Sequence, residues 1–115
     1  MNRPIAFLAL VAVSLVGLGA REQSQVREFT VVGRDHRYSP ATIEVQKDDL
    51  VKITFKADDM PHSFNNEQYR IAKRAGTGQS VTFEFRADQA GTFEFYCNLK
   101  QDDRCREMKG RLVVR

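Results

Sequence analysis

Apolar residues in this chain recur at every second position, in one short run after another. Phe29 and Val31 alternate with Glu28 and Thr30, and Ile43 and Val45 with Thr42, Glu44 and Gln46. The same period carries Val51, Ile53 and Phe55, then Val81, Phe83 and Phe85, then Phe93 and Phe95, and finally Leu112 and Val114. A strand turns successive side chains to opposite faces, so each run predicts a strand with one apolar face. The fillers are β-branched or aromatic, as half-buried pleated surfaces require. Ser39-Pro40, Asp48-Asp49, Asn65-Asn66, Gly76-Thr77-Gly78 and Ala90-Gly91 fall between the runs and predict turns. Six or seven such strands must bury their apolar faces on one another, and two packed sheets do so: the fold class is all-β, a β-sandwich.

Two stretches do not alternate. Glu67 to Ala75 is compatible with a helical turn or an irregular crossing strand. Asn98 to Lys109 is polar and lacks strand character, and Asp102 or Asp103 could cap a short helix there. On such a helix Cys105 and Met108, three apart, would share a face.

The chain has 115 residues, room for one domain. Its start reads as an export signal over residues 1–20: a basic Met1-Asn2-Arg3, an apolar run from Ile5 to Leu18, and small residues at Gly17-Leu18-Gly19-Ala20. At about fourteen residues the run is short for a membrane span. The expectation is a periplasmic or secreted protein with no stable membrane span after cleavage and a folded domain over residues 26–115. The formal net charge is +3, and the charges are interspersed, which leaves no basic face for nucleic acid. No nucleophile–base pair or carboxylate dyad stands in a recognisable setting, so the chain is expected not to be an enzyme.

The residues that can carry chemistry are few. Phe93, Phe95 and Cys97 share one strand face, so Cys97 should point inward at the strand's end. His62 lies in the loop-like stretch Asp58-Asp59-Met60-Pro61-His62-Ser63-Phe64, and Met108 precedes the last strand. An imidazole, a thiol and a thioether brought from separate loops are suitable ligands for a copper ion. Each also has a plain structural use. Cys97 and Cys105 are the two cysteines, and in an oxidising compartment such a pair commonly forms a disulfide. Met108 can be core filler, Met60 needs no ligand role, and His36, in Arg34-Asp35-His36-Arg37, reads as a solvated loop residue that could alternatively supply a second imidazole.

The run from Tyr38-Ser39-Pro40 through Ile43-Glu44-Val45 to Asp48-Asp49-Leu50-Val51 resembles the opening of bacterial cupredoxins. That family includes the domain of cytochrome oxidase subunit II and the cupredoxin part of periplasmic iron-uptake proteins. Pro61-His62-Ser63-Phe64 looks like its first histidine ligand, Gly91-Thr92-Phe93-Glu94-Phe95-Tyr96-Cys97 like its cysteine ligand, and Met108-Lys109-Gly110 like its methionine before the final strand. The resemblance implies a Greek-key β-sandwich and a copper site of His62, Cys97, Cys105 and Met108. It also implies a redox or copper-delivery protein as partner. The ligand set departs from the family's. Residues 98–107 hold no second histidine; Cys105 stands three before the methionine, where the oxidase-type domain has histidine, and Gln101 stands where that domain has its second cysteine.

Two readings follow. One is a copper-binding cupredoxin for electron transfer or copper handling, with one ion as Cu(I) or Cu(II), the sulfur-rich set favouring Cu(I). The alternative is a metal-free binding module of the same fold, stapled by Cys97–Cys105.

Overall fold

A computed structural model of the chain describes residues 25–115. The export segment expected over residues 1–20 lies outside them. Nine strands follow in order: β1 (Val26–Arg34), β2 (Arg37–Ser39), β3 (Thr42–Val45), β4 (Leu50–Ala57), β5 (His62–Asn66), β6 (Ile71–Ala75), β7 (Ser80–Arg86), β8 (Gly91–Tyr96) and β9 (Lys109–Val114). They form a four-stranded sheet, β2-β1-β4-β7, and a five-stranded sheet, β3-β9-β8-β5-β6. β1 runs parallel to β4 and β3 parallel to β9; the remaining pairs are antiparallel. Parallel neighbours cannot be joined by a hairpin, so the chain crosses repeatedly between the sheets. The β-sandwich read from the alternation is the observed architecture.

The alternating positions meet between the sheets. Val31, Ile43, Val51, Ile53, Phe55, Phe83, Phe95 and Leu112 are all buried. Phe64 and Phe95 stack with ring centroids 4.4 Å apart, and Tyr38 stands edge-on to both. Its hydroxyl donates to the Ser63 carbonyl at 2.6 Å, tying β2 to the opposite sheet. Burial drives the Tyr38 phenol far above its ordinary pKa, so it remains a donor. Gly110 lets β9 approach closely: a Cβ there would run into the Phe95 ring and the Ala41 carbonyl.

Two local expectations need correction, and one that was open is resolved. Asn65-Asn66 is not a turn but the end of β5, a strand buried at all five positions despite its polar residues. β5 makes a single register pair with β8, Asn65 with Tyr96. Side-chain amides satisfy further carbonyls: Asn65 Nδ2 donates to Tyr96 O at 3.0 Å and Asn66 Nδ2 to Glu94 O at 2.9 Å. The turn comes later, where Arg70 has φ 55°, and the undecided stretch ends as β6, with Ile71 and Ala75 buried. The segment after β8 holds one 3-10 turn, Cys105–Glu107, that begins at Arg104 without a side-chain cap. Asp102 and Asp103 do not cap it. Cys105 and Met108 do share its inner face, as residues three apart must.

Candidate metal centre

The β1–β2 turn, the start of β5 and the segment after β8 carry the histidine and sulfur side chains of interest. His62 opens β5 and is fully buried, so its loop setting in the sequence is misleading. Its ring lies against the bare backbone of Gly33, where an added Cβ would come within 3.0 Å of Cδ2. Its Nε2 is 2.8 Å from Asp59 Oδ1. The other oxygen of Asp59 accepts from the Asp35 amide, also at 2.8 Å, and so ties this loop to the β1–β2 turn. Desolvation pushes the Asp59 carboxyl upward, but the Asp35 amide and the His62 imidazole outweigh it and hold its pKa below the ordinary value.

His36 is the residue that sequence reasoning placed wrongly. It is not solvated: its side chain is only 11% exposed, and Nε2 lies 2.7 Å from Asp102 Oδ2. That hydrogen bond is the main reason the Asp102 carboxyl sits below its ordinary pKa. His36 occupies a two-residue turn between Arg34 and Arg37, with φ 53° at Asp35 and 57° at His36. The two imidazoles meet edge to face, ring centroids 6.0 Å apart. Each has one ring nitrogen on a carboxylate. The other, Nδ1, is buried with no hydrogen-bond partner among the described residues, and these are the two side-chain atoms there of which that is true.

The sulfurs are arranged differently. Cys97 follows the end of β8, buried as the strand face predicts, and is joined to Cys105 by a disulfide with Cα atoms 5.2 Å apart. Cys105 Sγ accepts from the Leu99 amide at 3.0 Å. Cys97 Sγ lies 3.5 Å from Ser63 Oγ, which itself accepts from the Asn98 amide at 2.8 Å. Met108 is fully buried; its amide donates to Cys105 O at 2.9 Å, and its carbonyl accepts from Cys97 N at 3.3 Å. The backbone thus holds residues 97, 105 and 108 together, while Met60 is half-buried in the loop before His62.

Residues 6–114 match the family described as the Cupredoxin-like domain. The chain belongs to that family. No curated protein matches this cupredoxin-like chain, but solved structures do. A chain of a heme-copper terminal oxidase dimer is 14% identical with TM-score 0.68, over 77% of this chain and 65% of that one, so this chain spans somewhat under two thirds of the oxidase chain. Auracyanin A, a "blue" copper protein of Chloroflexus aurantiacus, is 17% identical with TM-score 0.64, over 78% of this chain and 99% of that one. The metal-binding domain of the Cu(I)-exporting P-type ATPase of Streptococcus pneumoniae D39 is 22% identical with TM-score 0.65, over 83% and 91%.

Copper is what such a family implies, and the side chains of this cupredoxin-like domain fit it unevenly. His62 fits well: one nitrogen held by a carboxylate and the other buried without a partner is how metal-ligating histidines are oriented. Met108 is a buried thioether of the right softness. With the disulfide closed, however, Cys97 and Cys105 have no thiolate to offer. Among the described residues no three His, Cys, Asp or Glu side chains converge as a metal-binding group. The set His62, Cys97, Cys105 and Met108 is therefore available only to the reduced protein.

Proposed function

We propose that this is an exported copper-binding cupredoxin, periplasmic or secreted, that handles Cu(I) through His62, Met108 and the reduced sulfurs of Cys97 and Cys105. The observation that carries this is the His62 imidazole: fully buried, fixed through Nε2 by Asp59, and left with an unpartnered Nδ1. A buried polar atom without a partner costs stability, so it marks a position kept for a ligand rather than for packing. Copper would supply one-electron exchange at this end, or would be cargo. Two thiolates and a thioether favour Cu(I), which supports copper storage or delivery over rapid electron shuttling. The partner would be a copper-delivery or redox protein, and the chain itself would perform no enzymatic reaction.

A thiol count and a Cu(I) titration, run on the reduced and the oxidised protein, test this reading. Reduced protein should bind one Cu(I), and oxidised protein little. His62→Ala should weaken uptake by roughly a hundredfold or more, beyond what losing a supporting carboxylate costs. Equal uptake by both redox forms would remove the cysteines from the site.

The closed disulfide favours a second reading, a metal-free module stapled at this end. Failure of both redox forms to bind copper would establish it.

A further inference from the structure

We propose that His36 and His62 form a two-imidazole metal site of their own, using no sulfur, that takes Cu(II) while the Cys97–Cys105 disulfide is closed. It rests on the copper reading above in sharing His62 and the metal, and it departs from that reading in its ligands and its redox state.

The same arrangement occurs twice, side by side. Asp59 comes from the loop before β5 and Asp102 from the segment after β8, and each holds the Nε2 of one histidine. An ionised carboxylate can only accept, so each Nε2 is the donor, and Nδ1 is the atom left on each ring to offer a lone pair to a metal ion. Carboxylate, histidine and metal in that order is the usual support of a metal-bound imidazole. Ring centroids 6.0 Å apart are within the span of a single ion bound to one nitrogen of each ring at about 2.0 Å. The two carboxylates also bring negative charge beside a site intended for a dication.

The backbone supports the pairing independently. A two-residue hairpin turn with both φ angles positive is filled most cheaply by Asn-Gly or Asp-Gly. Here the second place is His36, at φ 57°. Histidine is among the residues that tolerate this conformation, but glycine takes it more cheaply, so the turn alone does not select a histidine here. On the other side Gly33 leaves the room that the His62 ring fills. Imidazole suits borderline divalent ions, among which Cu(II) binds such donors most tightly.

Protein with its disulfide closed, shown by assay to lack free thiols, is titrated with Cu(II) alone and followed by calorimetry and electron paramagnetic resonance. One Cu(II) should bind per chain, with hyperfine coupling to two imidazole nitrogens and no intense thiolate-to-copper absorption. Glycine adopts a positive φ freely, so His36→Gly keeps the hairpin and should retain a Tm within a few degrees of the original. Its Cu(II) affinity should fall by roughly a hundredfold, with coupling to a single imidazole remaining, while Asp102→Asn should cost about 10–100-fold. Reduced His36→Gly should keep its Cu(I) uptake. Oxidised protein that binds no Cu(II), or that binds it equally well after His36→Gly, overturns the proposal. In either case Cu(I) uptake by reduced protein that depends on His62 would leave the preceding function standing, and its absence would remove both.

Discussion

At the end of the sandwich where β4 begins, Asp49 is fully buried and saturated. Its carboxylate accepts from the Gln25 amide at 2.8 Å, from the Gln46 amide at 2.9 Å and from Arg27 Nε at 3.4 Å. At the far end, where β5 begins, His62 is buried and His36 largely so, yet each keeps a buried nitrogen without a partner among the described residues. The fold is therefore able to satisfy a buried charge completely, and does so at the Asp49 end, where the carboxylate joins the chain's entry to the β3–β4 turn. The deficit at the other end is local, and it coincides with the disulfide and Met108. At the Asp49 end the polar atoms are all committed to hydrogen bonds; at the end proposed to hold metal, two buried nitrogens are not.

The two ends should therefore respond separately to substitution. Asp49→Ala strands two backbone amides and Arg27, and should cost about 3 kcal/mol of stability, measured by urea unfolding. Copper uptake at the other end should not change; a parallel loss of affinity would show that the ends are coupled. Burial pushes the Asp49 carboxyl upward, but the two amides and Arg27 outweigh it and lower its pKa. Its contribution is therefore present above the unfolded value of about 3.9 and is lost as pH falls through the lower folded value. The gap between wild type and Asp49→Ala should narrow correspondingly in acid.

Opening the disulfide comes next. It closes a loop over a sequence separation of 8, which in the loop-entropy account is worth about 2–3 kcal/mol. Unfolding with and without a reductant should show that difference, and Cys97→Ala/Cys105→Ala should no longer respond to reductant. The smallest effect on the fold is expected at Gly33→Ala. The new methyl must displace the His62 ring or the Phe55 ring, at 3.0 and 3.2 Å, and should cost about 1–2 kcal/mol. Because it acts on the imidazole, its effect on copper affinity should exceed its effect on stability. An unchanged affinity would separate His62 from the metal.

The sandwich was legible because alternation is a local property: Ile43, Val51, Phe55 and Phe95 reveal their burial through neighbours two positions away. β5 was not, since His62-Ser63-Phe64-Asn65-Asn66 is buried at every position and mostly polar. Its amides pair with β8 carbonyls that no local pattern discloses. The inward Cys97 and the shared face of Cys105 and Met108 followed from strand and helical spacing. His36 escaped because its burial depends on Asp102, 66 positions away. The one signal present was the turn itself: Asp35-His36 stands between strand-forming residues where Asn-Gly would be cheaper.

That 66-residue separation also favours an order of events. The His36–Asp102 contact joins the β1–β2 turn to the segment beyond β8, so it needs nearly the whole topology in place. The cysteines are only 8 positions apart, and closing so short a loop in an unfolded chain costs less entropy than closing one of 66 residues. In an oxidising compartment the sulfurs can therefore be joined before Asp102 reaches His36. If copper is held as proposed, a newly made molecule would reach its native state with both sulfurs joined, and its first opportunity to hold the ion would come from the histidines.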